Sequence, residues 1–463
     1  MITQRSSAFV AAVERSMAGL LTRYDVPAVA VAVIEGADVV WDGAFGDCAR
    51  GDVFEVASLT KSAVALAILS LVEQGRVELD RPVNDYLERW RVRSTTFDTD
   101  GVTVRRLLNH TSGLPVGFPR DRRDAVPPIE AILGGDAGVD AAEITHQPGS
   151  RFAYSNPGYG VLELLIEEVT GRPFTDAMRT LVFEPLRMTH TGFPDDDALV
   201  ARRVAGFERT GRPLGPLARY PRAAGAALST ASDIGRLLIG ISRPIEDGGL
   251  LRAGTLDEMR RLDDASRGAF GLRNGGYSLG IAQGGLPSGR IFVANNGTHE
   301  NFNALMLAIP EQQTGFVVLT NSATGVGVEL DLAVSFFEHV AGEAPNIAAT
   351  AARAMTSLRL GTIAAMVVSW IVLLRIGLGV LRGERRWAGR PRARPLLTKT
   401  VPLGALAGGL FGFFDTRVAS KPVGGIPPAR FVSSDYADIV GALALALAAI
   451  GATSAALPKR SGG

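Results

Sequence analysis

The sequence predicts an α+β fold in which an antiparallel sheet is flanked by helices and joined to a mostly helical subdomain, followed by about three transmembrane helices. Strand-like apolar runs lie near both ends of residues 1–345, whereas the segment between them is patterned mostly as helices and loops. Long apolar runs with few charges begin after about residue 358. These observations predict a globular domain over residues 1–345, a linker over 346–357 and a membrane region over 358–463.

The first part of the globular domain is predicted to be a helix, a hairpin and a second helix. Residues 1–24 place apolar side chains at helical spacing, which indicates an amphipathic helix rather than the hydrophobic run of a signal peptide. Two short strand patterns follow at 28–34 and 39–45, and the turn between them indicates a hairpin. Residues 54–57 then lead into an apolar helix that begins at Ser58 and ends near Gln74.

The middle of the domain is predicted to hold three further helices between loops. Thr103 is placed to cap a short helix that ends at Asn109. A longer helix is expected over 160–170, where Gly171 follows the last periodic residue. Another begins after residues 229–233, a Ser-Thr-Ala-Ser-Asp cap.

The end of the domain returns to strands. Three strand-like runs lie at 290–294, 303–309 and 315–321, and the five-residue turn between the last two is consistent with antiparallel pairing. An amphipathic helix over 328–340 is expected to close the domain. The sheet is therefore expected to combine strands from both ends of the domain.

Charge, cysteine and histidine usage exclude several classes of function. Residues 351–463 hold 15 basic and 4 acidic side chains, a formal charge of +11. Since the whole chain carries +1, residues 1–350 carry −10. An acidic domain argues against nucleic acid as a partner. The single cysteine, Cys48, cannot form an intrachain disulfide. The five histidines show no metal-ligand spacing, so the sequence predicts neither a metal nor a cofactor.

Ser58 and Lys61 are the residues that most clearly indicate chemistry. They lie three residues apart at the start of an apolar helix, so their side chains share one face and can touch. Serine needs a nearby base to become a nucleophile, and a lysine whose pKa is lowered by burial can be that base. Of the 33 basic residues in 1–350, 32 are arginine, which stays protonated, and the other is Lys61. The alternative is a surface lysine in the first turns of a helix.

Several further motifs strengthen this hypothesis. They are the stretch around the serine at 54–61, Leu-Leu-Asn-His-Thr-Ser-Gly-Leu at 107–114, Pro-Gly followed by Tyr-Ser-Asn-Pro-Gly-Tyr at 148–159, and shorter segments at 185–193 and 228–233. In this order and spacing, over about residues 8–342, the chain resembles the serine β-lactamase and penicillin-binding-protein-like superfamily. The likeness is greatest to the class C β-lactamase-related serine hydrolases, which include D,D-peptidases and esterases.

The resemblance implies a role for each matching residue. Ser58 would attack an acyl carbon and form an acyl-enzyme, and Lys61 would share its proton. Tyr154 would be the partner base or acid, made workable by a cationic Lys61, since a positive neighbour lowers the pKa of a phenol. Asn156 would hydrogen-bond the substrate amide, and the Ser58 N–H would be half of the oxyanion hole. His110, which lies in another matching motif, is expected to be structural.

The third motif of the family departs from its usual form. The family has Lys or His, any residue, then Gly, whereas this chain has Asn295-Asn296-Gly297-Thr298. Asn295, Gly297 and Thr298 are the expected substrate-binding residues, with the Thr298 N–H completing the oxyanion hole. Asparagine supplies no charge, so binding of acidic substrates such as β-lactams is expected to be weak, while neutral esters or amides stay plausible. His299 would be an alternative cation if the turn shifts.

The apolar runs after the domain are the candidate transmembrane helices, at about 360–381, 401–414 and 439–457. The first has 22 residues and one charge, Arg375, and would be about 33 Å long, enough to cross a bilayer. The basic loop at 382–399 is expected to lie in the cytoplasm, which places the preceding domain outside. Because no signal peptide is evident, either the true start lies upstream or the domain is cytoplasmic.

The sequence therefore predicts a multi-pass cell-membrane protein whose extracytoplasmic domain is a serine hydrolase. It would act through an acyl-enzyme on an ester, amide or D-amino-acid peptide bond of a small-molecule or peptide substrate, with the lipid bilayer as a partner of the C-terminal helices. The alternative, favoured by Asn295, is a catalytically weak binding or sensor module coupled to those helices. Transport is disfavoured because the apolar segments lack paired charges.

Overall fold

The computed structural model describes residues 2–117, 126–136, 140–215, 219–272, 274–343, 345, 378 and 382. The chain divides into two units, Met1–Ile347 and Ala348–Gly463, and all described residues except two belong to the first. Among these residues, no helix is long and apolar enough to cross a membrane. The predicted spans at 360–381, 401–414 and 439–457 lie outside the described residues, apart from Leu378.

The strands form one large sheet and two short pairs. In chain order they are β1 (Ala28–Glu35), β2 (Asp38–Gly46), β3 (Phe54–Glu55), β4 (Gly206–Phe207), β5 (Pro213–Leu214), β6 (Leu228–Ser229), β7 (Gly276–Tyr277), β8 (Ala282–Gly285), β9 (Ile291–Thr298), β10 (Asn303–Ile309) and β11 (Thr314–Thr320). In the described part of the chain the large sheet has seven strands in the order β2-β1-β11-β10-β9-β8-β7, all paired antiparallel. The predicted union of N-terminal and C-terminal strands is confirmed.

Helices cover this sheet and form the helical subdomain. They are α1 (Gln4–Tyr24), α2 (Thr60–Glu73), α3 (Val104–Leu108), α4 (Ile129–Gly134), α5 (Asn156–Thr170), α6 (Phe174–Met178), α7 (Asp197–Ala201), α8 (Arg222–Gly225), α9 (Ala231–Ser242), α10 (Ala253–Arg260) and α11 (Val326–Phe336). The middle of the chain is mostly helical, as predicted. The architecture is therefore α+β, with an antiparallel sheet flanked by helices.

Strand β1 shows why the sheet needs helices on both faces. Its even-numbered residues, among them Ala30 and Ala32, belong to the core that includes α2, α5 and α9. Its odd-numbered residues, among them Val31 and Val33, belong to a second core beneath α1 and α11. Because alternate side chains of a strand point to opposite faces, an uninterrupted apolar strand must be covered on both.

Two helix boundaries near the predicted site differ from expectation. Helix α2 begins at Thr60, and Ser58 lies just before it in a 3-10 turn formed by Ala57–Leu59. Helix α5 begins at Asn156, four residues earlier than predicted, because the Ser155 side chain accepts the Gly158 N–H and caps it. Proline is tolerated in a first helical turn, so the Pro-Gly pair that suggests a turn here opens a helix instead.

A buried carboxyl in the second core makes stability depend on pH. Glu329 on α11 is 5% exposed, its Oε1 has no hydrogen-bond partner, and burial raises its pKa to about 8 from the ordinary 4.5. The folded state therefore holds this proton more tightly than the unfolded chain does. Stability from this group is present at low pH and is lost as pH rises toward about 8.

We expect Glu329→Gln to remove this loss, because the amide cannot ionise. As the pH is raised from about 5 to about 8, the free energy of unfolding of the variant should increase relative to that of wild type by on the order of 3 kcal/mol. Thermal or denaturant unfolding of both proteins at the two pH values measures the gain. Equal pH dependence in variant and wild type would show that Glu329 does not titrate in this range.

Candidate active site

Ser58 is presented by a backbone turn that directly follows strand β3. Strand β3 pairs with β6, and the Val56 N–H donates to the Ala227 carbonyl at 3.1 Å. Ala57 has a φ of 46°, a left-handed conformation that is uncommon for a residue with a side chain. Such strain persists where surrounding structure enforces it. Ser58 itself is half-buried between two buried neighbours, Ala57 and Leu59.

Lys61 lies one turn later and is fully buried, with 0% of its surface exposed. Its Nζ lies 3.2 Å from Ser58 Oγ and 3.0 Å from Asn156 Oδ1, and it donates to the Ala224 carbonyl. Burial lowers the pKa of Lys61 well below 10.5, so the neutral amine is favoured. The site thus holds an amine that can act as a base.

The oxygens around Lys61 decide where its lone pair points. A neutral amine has two N–H donors and one lone pair, whereas amide and carbonyl oxygens only accept. The Asn156 amide is oriented with its oxygen toward Lys61, because its Nδ2 donates to the Gly117 carbonyl at 2.9 Å. If the two N–H groups go to Asn156 Oδ1 and the Ala224 carbonyl, the lone pair is left facing Ser58 Oγ. This arrangement suits Lys61 to accept the serine proton.

Tyr154 contacts the same hydroxyl from another direction. Its OH donates to Ser58 Oγ at 2.8 Å, and its ring centroid lies 4.7 Å from Lys61 Nζ. Burial raises the pKa of Tyr154, and the hydrogen bond with Ser58 lowers it only in part. This differs from the expectation that a cationic Lys61 makes the phenol easy to ionise. Because both groups are buried, the neutral amine and the neutral phenol are favoured, so Tyr154 is suited to donate a proton.

His110 lies behind Tyr154 as a packing residue. It is fully buried, and its Nδ1 accepts the Ser155 N–H at 3.1 Å. Its ring centroid is 4.2 Å from that of Tyr154 and 4.9 Å from that of Tyr277. Burial lowers the pKa of His110 well below its ordinary 6.5, which favours the neutral ring. These contacts agree with the structural role expected from the sequence.

Strand β9 carries the third motif against the nucleophile turn. A Cβ on Gly297 would lie 2.3 Å from the Val56 carbonyl oxygen and 3.0 Å from the Ser58 nitrogen, so only glycine allows this approach. Asn295 is buried, and its Nδ2 donates to Ser62 Oγ at 2.9 Å. Thr298 is exposed at the end of the strand. Strand β9 therefore packs directly on the turn that carries Ser58, and the oxyanion role of Thr298 stays a prediction.

His299 does not replace the missing cation of the third motif. Its Nδ1 lies 2.9 Å from a Glu55 carboxylate oxygen, and Arg203 and Arg219 form ion pairs with the same carboxylate. Burial lowers the pKa of His299, and Arg219 lowers it further. Although burial alone raises the pKa of Glu55, its hydrogen bond with His299 and the neighbouring positive charges hold it at about 2. The positive groups of this cluster are thus engaged internally.

Two contributors to the site were not found from the sequence. They are the Ala224 and Gly117 carbonyls, which accept from Lys61 and Asn156. Backbone carbonyls can belong to any residue type, so no sequence signal indicated them. Among the described residues, no group of three or more His, Cys, Asp or Glu side chains is placed to hold a metal ion.

The structure thus surrounds Ser58 with a buried lysine, a tyrosine and an asparagine. The sequence that carries these residues also matches a known family. The family model named Beta-lactamase matches residues 10–335, more than half of the chain. The chain belongs to the beta-lactamase family. This confirms the family resemblance inferred from the motifs, and the match does not extend into the predicted membrane region at 358–463.

The relatives of this chain include one protein named as an esterase. Esterase EstB of Burkholderia gladioli is 34% identical over 155 residues, which cover 30% of this chain and 38% of that protein. Protein flp of Staphylococcus aureus (strain MRSA252) is 25% identical over 275 residues, 58% of this chain and 52% of that protein. The chain thus spans about half the length of this staphylococcal relative.

A solved structure supports the fold of this beta-lactamase family member. The D-stereospecific amidohydrolase from Streptomyces sp. aligns with a TM-score of 0.54 and 26% identity. The alignment covers 68% of this chain and 94% of that one. The beta-lactamase/D-alanine carboxypeptidase from Pseudomonas syringae aligns with a TM-score of 0.57 and 17% identity, over 72% of this chain and 99% of that one. This likeness confirms the α+β serine β-lactamase and penicillin-binding-protein-like fold expected from the sequence.

Proposed function

We propose that this protein is a membrane-anchored serine hydrolase that forms an acyl-enzyme on Ser58 and acts on neutral esters, amides or D-amino-acid peptide bonds. The observation that carries the proposal is the set of contacts around Lys61, whose two N–H groups have acceptors in Asn156 and Ala224 and whose lone pair can face Ser58 Oγ at 3.2 Å. The relatives named as an esterase and an amidohydrolase support these bond classes.

The reaction would proceed in two halves. Ser58 Oγ attacks the carbonyl carbon of the substrate while its proton passes to Lys61 Nζ. The former carbonyl oxygen becomes negative and accepts hydrogen bonds from the backbone N–H groups of Ser58 and Thr298. The proton then reaches the leaving oxygen or nitrogen from Lys61 directly or through Tyr154, and the bond to the leaving group breaks. A water molecule then attacks the acyl carbon while Lys61 accepts its proton. The bond to Ser58 Oγ breaks, Lys61 returns the proton to that oxygen, and the acid is released.

The charge of the site favours uncharged substrates. Asn295 supplies no positive charge where the family has Lys or His, and the charges of Arg203 and Arg219 are paired with Glu55. A substrate carboxylate would therefore lose its hydration without gaining an ion pair.

A matched pair of substrates tests this proposal. We expect a neutral p-nitrophenyl ester to be hydrolysed with a kcat/KM at least about 10-fold above that of the same ester whose acyl chain ends in a carboxylate. Asn295→Lys should reduce the difference in kcat/KM between the two esters, because the lysine restores a positive charge at this position. Equal rates, or a preference for the carboxylate ester, would contradict the proposed substrate class.

Tyr154→Phe tests the proton path, because it keeps the ring that packs on His110 and removes the OH that donates to Ser58. We expect kcat for the neutral ester to fall about 100-fold, with little change in KM, since positioned acid–base groups contribute factors of this size. Steady-state kinetics give both constants. Wild-type kcat in a folded Tyr154→Phe protein would show that the proton reaches the leaving group without the phenol.

The second candidate, a binding or sensor module with the same pocket, is favoured by Asn295, because a neutral residue there weakens the electrostatic part of a catalytic site. It predicts that ligands bind without turnover. Hydrolysis of the neutral ester that depends on Ser58 would exclude it.

Anchoring belongs to the same proposal and is supported by the apolar runs at 360–381, 401–414 and 439–457 and by the basic loop at 382–399. We expect the full chain to stay in membranes after alkaline carbonate extraction. An N-terminal epitope tag should be removed by protease added to intact cells. Release by carbonate would contradict anchoring, and a protected tag would place the domain in the cytoplasm.

A further inference from the structure

Glu163 is a buried carboxyl for which the proposed reaction has no direct use. It lies on α5 and is 1% exposed. Its Oε2 accepts the Ala223 N–H at 2.9 Å, and its Oε1 lies 3.9 Å from a guanidinium nitrogen of Arg222. Burial of a carboxyl is costly unless its oxygens are bonded, so the contact with Ala223 is the main compensation that Glu163 receives.

The group that Glu163 holds is next to a group that Lys61 needs. Ala223 precedes Ala224, whose carbonyl accepts from Lys61 Nζ, and both belong to the short helix α8. The far side of this segment is also fixed, because the Ala227 N–H donates to Thr60 Oγ1 at 3.2 Å. The segment from 223 to 227 is therefore held at two points, by Glu163 on α5 and by Thr60 on α2.

One face of α5 controls both acceptors around Lys61. Asn156, Tyr159 and Glu163 lie at positions i, i+3 and i+7, which share a face of a helix. Asn156 contacts Nζ directly at 3.0 Å, and the Tyr159 ring centroid lies 5.4 Å from it. Glu163 reaches the same amine through Ala223 and Ala224. The helix thus places one acceptor by a side chain and the other by a held backbone.

We propose that Glu163 is a positioning residue for acylation: through the Ala223 N–H it fixes the Ala224 carbonyl, so that the lone pair of Lys61 faces Ser58. This inference rests on the proposed function. When the carbonyl is not held, the second N–H of Lys61 loses its fixed acceptor and can turn toward Ser58 Oγ, which points the lone pair away from the serine proton. The effect is therefore on the rate of proton transfer rather than on substrate binding.

The hydrogen-bond acceptor, rather than the charge, is the feature of Glu163 that matters. Burial raises the pKa of Glu163 to about 7, so near neutral pH the carboxyl exists in both forms. Each form keeps an oxygen that can accept the Ala223 N–H, and so does the amide of glutamine. Methionine has a similar length but offers only a weak sulfur acceptor. The pair Glu163→Gln and Glu163→Met separates acceptor from volume.

The experiment measures kcat and KM for a neutral p-nitrophenyl ester, with thermal unfolding of each variant. We expect Glu163→Gln to stay within about threefold of wild type and Glu163→Met to lose about 30-fold in kcat with KM within about threefold. The matched control is Glu329→Met, which removes a buried carboxyl from the other core. It should change stability and leave kcat unchanged, because Glu329 is buried on α11, whose apolar residues pack in the core on the opposite face of the sheet.

Four outcomes would overturn the proposal. Wild-type kcat in a folded Glu163→Met protein would show that the acceptor is not needed, and an equal loss in Glu163→Gln would show that the charge matters instead. If Glu163→Met does not fold, Glu163→Asp keeps the carboxyl but shortens its reach, and wild-type kcat there would have the same meaning. If wild type cleaves no ester and takes no label on Ser58, the proposed function fails, and the positioning role fails with it.

Discussion

Replacing Ser58 with alanine should lower ester hydrolysis by at least about 10⁴-fold, because it removes the atom that forms the acyl-enzyme. Lys61 Nζ and Tyr154 OH converge on Ser58 Oγ at 3.2 and 2.8 Å. The neighbouring hydroxyl of Ser62 cannot take over, because it is buried, donates to the Gly280 carbonyl at 2.7 Å and accepts from Asn295.

The control for this prediction is Ser70→Ala, which removes a hydroxyl from the far end of α2. It should retain wild-type kcat. The measurement is hydrolysis of the neutral ester by both variants, after thermal unfolding shows that each is folded. Residual activity clearly above about 0.01% of wild type in Ser58→Ala would point to another nucleophile.

Replacing Lys61 with arginine should lower kcat about 10³-fold, although the positive charge is retained. The guanidinium stays protonated and has no lone pair for the serine proton. It is also larger than the amine, and Lys61 is fully buried, so the surrounding side chains would have to move. Steady-state kinetics measure the loss, and near-normal activity in Lys61→Arg would show that the base is another group.

Lys61→Met provides a second test of the same residue, because stability and activity should move in opposite directions. Methionine fills a similar volume without a buried amine, so we expect the free energy of unfolding to rise by about 1 kcal/mol while hydrolysis is lost. Denaturant unfolding and kinetics on the same protein give both numbers. A variant that loses both stability and activity would indicate that Lys61 is mainly structural.

The pH dependence of acylation follows from the burial of Lys61. Only the neutral amine accepts the proton, so the rate rises with pH through the pKa of Lys61 and then becomes constant. Because burial lowers this pKa well below 10.5, the constant region should begin well below that value. Single-turnover rates across the pH range in wild type locate the rise. A rate that still increases near 10.5 would indicate an unperturbed lysine or a tyrosine base.

Local sequence patterns predict much of this fold. Strand β1 is apolar from Ala28 to Ile34 because it is covered on both faces, and the pairing of N-terminal and C-terminal strands follows from such runs at both ends of the domain. The residues of the candidate site were likewise predictable. Ser58, Lys61, Tyr154 and Asn156 belong to short motifs in which residue type and spacing carry the chemistry, and the structure brings them together.

The parts that local patterns could not predict depend on contacts between distant segments. Ala57 adopts a positive φ although alanine does not favour it, because β6 and β9 enclose the turn. The Ala224 carbonyl has no side-chain signature, and Glu163 resembles any polar residue on a helix until α8 is placed against it. His299 was expected as a possible cation, but its partner Glu55 lies 244 residues away in sequence.

The most direct test of the central claim is covalent labelling of the purified full-length protein with a fluorophosphonate, followed by peptide mass mapping. The phosphorus would bond to the activated serine oxygen with loss of fluoride. We predict an adduct on Ser58 that is absent from Ser58→Ala and forms far more slowly in Lys61→Arg. An adduct on a different residue, or no adduct on protein shown to be folded, would contradict the account of Ser58 as a nucleophile activated by Lys61.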